Sequence, residues 1–368
     1  MVDSMARVRE VYSILHRIPE ISFAEFKTAA YLTEQLLQAG YQVKTGLAGT
    51  GVTGMLAGQA DGPIVAIRAD MDALAHSVSG VETAIHSCGH DAHCAIVLAV
   101  AEEMARKGIN RGALQIIFQP AEEKLSGAQR MVEAGVIEDV DILIGLHLRP
   151  VEEAGLGEAT PALFHGASAI MEVELTGVSA HGARPHLGIN VIDAAAAVVN
   201  AVNAIRVNPA VAASIKVTKL QAGGAALNAI PDKAELALDL RARQNDVMKE
   251  LLAKAKTAVQ AAATTVGAGS DIIGINQVPA AEYDQDLIKL AQEAIQAVLG
   301  PHGLLPPVYT PGGEDFHFYT QAKPNLRATY IGLGVDLTPG LHHPDMTFNP
   351  DGLINGVNIL VYMVNKLL

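Results

Sequence analysis

Along the first half of the chain, short continuous apolar runs alternate with helical patterns. The runs GVTGMLAG (51–58), PIVAIRAD (63–70), LQIIFQ (114–119) and DILIGLH (141–147) predict short, largely buried strands, because a strand covered on both faces needs no polar alternation. Between two of them, AHCAIVLAVAEEMARKG (92–108) carries the period of a helix. Residues 1–40 add two more helical patterns, and AEYDQDLIKLAQEAIQAVLG (281–300) and LINGVNILVYMVNKLL (353–368) resume helix near the end. This order is α/β.

The middle is patterned differently. AIMEVELTG (169–177), SIKVTKLQAG (214–223) and KAELALDLRAR (233–243) alternate as half-exposed strands do, and DIIGINQ (271–277) closes the series. NVIDAAAAVVNAVNAI (190–205) and DVMKELLAKAKTAVQAAATTV (246–266) are helical. The resulting order, β-α-β-β-α-β, is that of a ferredoxin-like sandwich. The switch from continuous to alternating strands marks residues 168–280 as an insert interrupting one α/β domain.

Composition narrows the function. A length of 368 residues, half of them hydrophobic, supports one large or two ordinary domains. A net charge of -13 with no basic run excludes a nucleic-acid footprint. The N-terminus lacks a basic segment followed by an apolar one, and no stretch reaches membrane-spanning length without charge, so a soluble cytoplasmic protein is expected. Two cysteines, Cys88 and Cys94, are too few for a disulfide scaffold. Cys88 lies among histidines, which points to metal binding or catalysis.

Candidate ligands repeatedly follow apolar strands: Asp70 and Asp72 after PIVAIR, Glu122 and Glu123 after LQIIFQ and Pro120, and His147 at the end of DILIGLH. Open parallel sheets bind ligands at the carboxyl ends of their strands, so these coincidences favour one shared site. In HSCGHDAH (86–93) a single glycine separates Cys88 from His90, which lets a tight loop aim both at one ion; thiolate and imidazole suit zinc and other borderline transition metals. Asp91 can cap the following helix or hold an imidazole. His93 reads equally as ligand, support or packing, while His86 and Cys94 read as structural. Glu122 and Glu123 are either ordinary neighbouring carboxylates or, beside a metal, a ligand and a proton acceptor. LHHPDMTF (341–348) offers His342 and His343 from a remote loop. GTGVTG (49–54) matches a dinucleotide-binding string, but it opens into a strand where that motif needs a helix.

The motifs LHRIPEISFAEFKTAAYL, RADMDAL, HSCGHDAH, QPAEE, GLHLRP, GVSAHGARPHLGINVIDAA, GGAALNAIPDKAELALDLRA, GGEDFHFY and LHHPDMTFNPDGL span nearly the whole chain. In this order they resemble the amidohydrolase branch of the zinc-dependent aminoacylase and carboxypeptidase family, which includes N-acyl amino acid amidohydrolases, hippurate hydrolases and plant indoleacetyl-amino acid hydrolases. The resemblance implies a catalytic α/β domain with a mixed, mainly parallel sheet flanked by helices (1–167 and 281–368). It also implies an inserted ferredoxin-like lid and dimerisation domain (168–280).

It further implies two divalent metal ions (zinc, manganese, cobalt or nickel) held by Cys88, His90, Glu123, His147 and His342, with Glu122 as general base. His343 stays outside, since its place in the motif usually holds a small or variable residue. His181 corresponds to a lid histidine that reaches the partner subunit's site and stabilises the oxyanion, and Asn228 and Arg241 to residues that hold the substrate carboxylate. The implied reaction is removal of an acyl group from an N-acyl amino acid by metal-activated water, in a homodimer or higher homo-oligomer. A metallo-carboxypeptidase or dipeptidase would use the same centre on a peptide. A non-catalytic metal-binding relative would lack the base, and Glu122 is present. The chain departs from the pattern after DMDAL, where AHSVSGVETAI is short and lacks the usual proline, a difference that bears on substrate specificity.

Overall fold

Buried apolar runs meet in one seven-stranded sheet. In the computed structural model, which describes residues 4–310 and 312–368, the strands lie in the order Gln42–Leu47, Gly51–Ala57, Ala113–Gln119, Ile64–Asp70, Ile142–Pro150, Arg327–Leu337 and Ala159–Thr160. The four strands from Ala113–Gln119 to Arg327–Leu337 run parallel, and the three pairings outside them are antiparallel. The sheet is therefore mixed, with its parallel part at the centre.

Both faces are covered, which is why these strands read as continuous apolar runs. Ile67, Ile116, Phe118, Ile142 and Ile144 point into one core, with residues of the helices Ser4–Leu15, Phe26–Gln38, His90–Lys107, Gln285–Leu299 and Leu353–Leu367. Their neighbours Ala66, Ile117 and Leu143 point into another, with Ala128, Met131, Phe316 and Tyr319 from the opposite side. Each fully buried side chain of this size contributes roughly 1.5–3 kcal/mol.

Some strands carry no continuous apolar run. Gln42–Leu47 is an edge strand with a largely exposed pattern. Leu74–Val78 and Val81–Ile85 pair as a hairpin within the shortened AHSVSGVETAI segment, turning on Ser79 and Gly80, both at positive φ as a two-residue turn requires. Arg327–Leu337 is the outermost of the parallel strands on its side of the sheet, and two glycines interrupt its apolar run. The GTGVTG string lies across the connection between Gln42–Leu47 and Gly51–Ala57 and the latter strand itself, with no helix following.

The chain divides into two compact units. One is built from the chain up to Phe164, Glu282–Thr310 and Glu314–Leu368, the other from His165–Ala281. The second unit has an antiparallel sheet in the order Ala213–Ala222, Lys233–Ala242, Ala167–Thr176 and Gly269–Val278. Met171, Val173 and Leu175 alternate with less buried neighbours and pack with Val198 and Val259 of the helices Val191–Asn203 and Asn245–Thr265. The element order is β-α-β-β-α-β apart from a short ribbon of Ala180–His181 with Ala229–Ile230. Among the described residues, no helix is long and apolar enough to cross a membrane.

Candidate metal centre

The candidate ligands of the large unit converge where adjacent parallel strands end. Ile64–Asp70 leads directly to Asp70 and Asp72, Ala113–Gln119 leads to Glu122 and Glu123, and Ile142–Pro150 carries His147. Gly89 stands at the N-terminus of the helix His90–Lys107 with φ 90°, a left-handed conformation that suits glycine. This turn places Cys88 just before the helix and His90 on its first residue.

Cys88 Sγ lies 3.5 Å from His147 Nε2. The Nδ1 of His147 meets the carbonyl oxygen of Leu148 at 2.6 Å; a carbonyl only accepts, so Nδ1 carries the proton and Nε2 keeps its lone pair. His90 is oriented the same way, with Nδ1 donating to Asp72 Oδ1 at 3.2 Å. Its Nε2 lies 3.6 Å from Asp70 Oδ2, 3.9 Å from Glu123 Oε1 and 4.0 Å from Glu122 Oε2, and His342 Nε2 lies 3.5 Å from the same Glu123 oxygen. The remote loop is held by the His342 N–H, which donates to the Ser87 carbonyl at 2.7 Å. His90 Nε2 and Glu123 Oε1 are buried without a hydrogen-bond partner. Buried polar atoms are rarely left so, and a cation between them would satisfy both.

Among the described residues, the expected ligands and Glu122 fall into three overlapping groups: Cys88, His90 and His147; Cys88, Glu123 and His342; and His90, Glu122 and Glu123. Within each, the ligand atoms lie within 4.8 Å of one another. All five expected ligands and Glu122 are thus brought together, and their thiolate, imidazole and carboxylate donors suit a first-row divalent metal. Burial pushes the Cys88 thiol up, so its thiolate needs a neighbouring positive charge. Burial, followed by the Glu314 and Asp315 carboxylates, holds the Glu122 carboxyl well above the usual range, while burial holds the His147 imidazole neutral.

The remaining candidates occupy supporting places. Asp72 binds His90 and accepts the hydroxyl of Ser22 at 2.6 Å. His93 uses both nitrogens, Nδ1 against Asp70 at 2.7 Å and Nε2 accepting the Leu148 N–H at 3.0 Å, which leaves no lone pair for an ion. Asp91 binds the imidazole of His16 at 2.6 Å, and Gly89 holds the cap position. Cys94 is buried in the helix and donates to the Asp70 carbonyl. His343 accepts the N–H of Asp345 in its own loop. His76 Nε2 meets Ser87 Oγ at 2.8 Å, tying the shortened hairpin to the residue before Cys88.

One network has no counterpart among the roles expected from the sequence. Arg68, fully buried, contacts Asp70 at 2.7 Å, Glu314 at 3.1 Å and Asp315 at 2.9 Å. Gln119 donates to Asp315, and the Tyr330 hydroxyl donates to Glu314 at 2.9 Å. Oxygens of Glu314 and Asp315 reach within 4.8 Å of Glu122, so this network backs the candidate base. Burial and Glu314 push the Asp315 carboxyl up to about 8 against the pull of Arg68. The signal in the sequence is a lone arginine inside the apolar run PIVAIRAD and paired acids inside GGEDFHFY.

The candidates of the second unit are exposed. His181 pairs with Ala229 in the short ribbon, and its Nδ1 accepts the Ala183 N–H at 3.0 Å. The Asn228 carbonyl accepts the N–H of Gly182 at 2.7 Å, which brings Asn228 to the same ribbon as His181. Arg241, near the end of Lys233–Ala242, forks onto Asp239 at 2.8 and 2.9 Å.

Known proteins share this organisation. The model of Peptidase family M20/M25/M40 matches residues 66–366. The chain is 29% identical over 365 residues to an N-acetyl-L-cysteine deacetylase of Bacillus subtilis, covering 96% of this chain and 86% of that protein. It is 28% identical over 382 residues to the IAA-amino acid hydrolase ILR1-like 2 of Arabidopsis thaliana, covering 100% of this chain and 85% of that one. Among solved structures, the YXEP protein of Bacillus subtilis, described as a dinuclear metal binding peptidase, superposes with a TM-score of 0.82 at 26% identity, covering 99% and 98% of the two chains.

Proposed function

The chain belongs to Peptidase family M20/M25/M40, and from that premise we propose that it is a two-metal amidohydrolase releasing an amino acid from an N-acyl amino acid. Hydrolysis of amide bonds is the chemistry of its family. The observation that carries the reading is the facing pair of buried, unpartnered donor atoms, His90 Nε2 and Glu123 Oε1, with Glu122 beside them.

Cys88, His90, Glu123, His147 and His342 would hold two divalent ions, drawn from zinc, manganese, cobalt and nickel. When bound, such ions polarise the scissile carbonyl and lower the pKa of the attacking water. Glu122 takes the proton from that water and passes it to the leaving nitrogen. Burial and the Glu314 and Asp315 carboxylates raise the Glu122 carboxyl, the direction that makes a carboxylate a stronger base. Asp72 and the Leu148 carbonyl fix the imidazoles of His90 and His147, so their free nitrogens point inward.

The His165–Ala281 unit serves as lid and dimerisation domain in this reading. His181 of one subunit stabilises the oxyanion in the site of the other. Asn228 and Arg241 hold the α-carboxylate; the guanidinium offers five donors, of which Asp239 engages two groups. The acyl amino acid is a small-molecule substrate, and the protein is a homodimer working in the reducing cytoplasm, where the free, buried cysteines Cys88 and Cys94 are at home.

Metal-loaded protein assayed against N-acetyl and N-benzoyl amino acids and dipeptides tests the reading. Faster release of amino acid from the acylated substrates is expected. Preferential cleavage of dipeptides would replace the reading with a dipeptidase, and no hydrolysis of any substrate by fully loaded protein would favour a non-catalytic relative.

A further inference from the structure

Two buried carboxylates grip three successive backbone N–H groups where the chain delivers Glu122 and Glu123. The Ala121 N–H donates to Glu25 Oε1 at 2.9 Å, and those of Glu122 and Glu123 donate to Asp72 Oδ1 and Oδ2 at 3.2 and 3.1 Å. Ala121 has φ 54° and ψ 43°, left-handed values that residues with a Cβ seldom adopt. Such a conformation persists only when its surroundings over-determine it.

Glu25 is placed to do that. It is fully buried and precedes the helix Phe26–Gln38. Its Oε2 accepts the hydroxyl of Thr50 at 2.6 Å, and Oε1 accepts the Phe23 N–H at 3.0 Å as well as that of Ala121. The opposite side of Ala121 is closed by Gly127, whose N–H donates to the Ala121 carbonyl at 3.2 Å. A Cβ on Gly127 would collide with the Pro120 carbonyl, so the backbone at residues 120 and 121 has no room to relax that way. A rotation at Ala121 would swing both following carboxylates, and a displacement near 1 Å at a reacting group can cost about 100-fold in rate.

We propose that Glu25 is a positioning residue for hydrolysis: by accepting the Ala121 N–H it fixes the left-handed turn that aims Glu122 and Glu123. The assignment rests on the reading of Glu122 as base and Glu123 as metal ligand. Asp72 orients His90 and the next two N–H groups, but the turn itself is held through Glu25. Burial alone does not explain a carboxylate here, since an apolar side chain would fill the space without binding any N–H.

The test compares Glu25→Leu, which removes the acceptor, with Glu25→Gln, whose amide oxygen can still accept from Ala121. Each is made alone and with Ala121→Gly, which lets residue 121 stay left-handed without help. Measurements are kcat, KM and the apparent affinity for Co2+ by absorption titration. Glu25→Leu should lose about 10- to 100-fold in kcat and bind Co2+ more weakly, with KM changed less. Glu25→Gln should retain most of both, and Ala121→Gly should recover part of the Glu25→Leu loss. If Glu25→Leu does not fold, Thr50→Val, which frees the other oxygen of Glu25, should show a smaller kcat loss with the same recovery by Ala121→Gly.

Native kcat and Co2+ affinity in Glu25→Leu or, if that variant fails to fold, in Thr50→Val, would overturn the proposal. So would losses that Ala121→Gly leaves unchanged, because they would mean that the turn is not what Glu25 supports. Glu122→Gln run in parallel separates the two levels of the argument. An inactive Glu122→Gln beside an unaffected Glu25→Leu refutes the positioning role alone, whereas a fully active Glu122→Gln refutes the reading on which it rests.

Discussion

His90 in the large unit and His181 in the inserted one carry the same side chain in opposite circumstances. His90 is buried, has one nitrogen bound by Asp72 and presents the other to Glu123. His181 is exposed on a two-residue strand, where its imidazole accepts the Ala183 N–H. The contrast extends to their neighbours. Arg68 is enclosed by three buried carboxylates, whereas the exposed Arg241 forks onto one half-buried partner. The difference teaches what each region can do unaided. In the proposed centre, His90 and His147 are buried and held by their own fold before any ion arrives. Residues that meet a substrate must stay open until it comes.

The comparison breaks first at Cys88. Cys88→Ser replaces a thiolate with a hydroxyl, a poorer donor for borderline metals. Metal affinity should fall by more than the roughly 10–100-fold typical of losing an outer partner, and turnover with it. Unchanged stoichiometry and affinity by metal analysis would remove Cys88 from the centre.

His181→Ala should leave metal content intact yet cost roughly 100- to 1000-fold in kcat, the range for losing one oxyanion donor. Mixing these subunits with Glu122→Gln subunits should restore activity, since hybrid dimers own one site with both residues. No recovery despite proven subunit exchange would confine His181 to its own subunit or remove it from the chemistry.

Arg241→Met should raise KM for free-carboxylate substrates by about 10-fold or more, as loss of a charge-assisted pair does, with no such change for amidated ones. Stability should shift by less than about 1 kcal/mol, because the Asp239 pair lies at the surface. An equal effect on both substrates would sink the carboxylate clamp.

The smallest effect is in pH. The hydrogen bond from Arg241 holds the Asp239 carboxyl below its ordinary value, with burial opposing. A depressed carboxyl adds stability above its unfolded pKa, near 3.9, and loses it as pH falls below that. Melting temperature followed from pH 5 downward (about one unit above that value) should therefore drop slightly more steeply in the native protein than in Arg241→Met. Parallel curves would show that the pair contributes nothing.

How legible each region was follows from the same physics. The α/β order and the β-α-β-β-α-β insert were readable because strands covered on two faces run apolar and those covered on one alternate, as Ile142–Pro150 and Ala167–Thr176 do. Arg327–Leu337 was not, since glycines interrupt its run although it is almost wholly buried between Ile142–Pro150 and Ala159–Thr160. At the site, the spacing of Cys88 and His90 and the ends of apolar strands pointed to residues the fold does bring together. Division of labour among them was harder to read. Whether His93 or His90 faces an ion depends on which nitrogens Asp70, Asp72 and Leu148 engage, and these contacts join residues far apart in sequence. The Arg68, Glu314 and Asp315 network was hidden for that reason too.

The most direct test of the central claim, that Cys88, His90, Glu123, His147 and His342 hold two ions while Glu122 moves the proton, is Glu122→Gln with bound metal and turnover measured on the same sample. The account predicts two divalent ions per chain, as in the native protein, and a loss of about 100- to 10,000-fold in kcat on an N-acyl amino acid. Near-native turnover would show that another group is the base, and loss of an ion would show that Glu122 serves the metals.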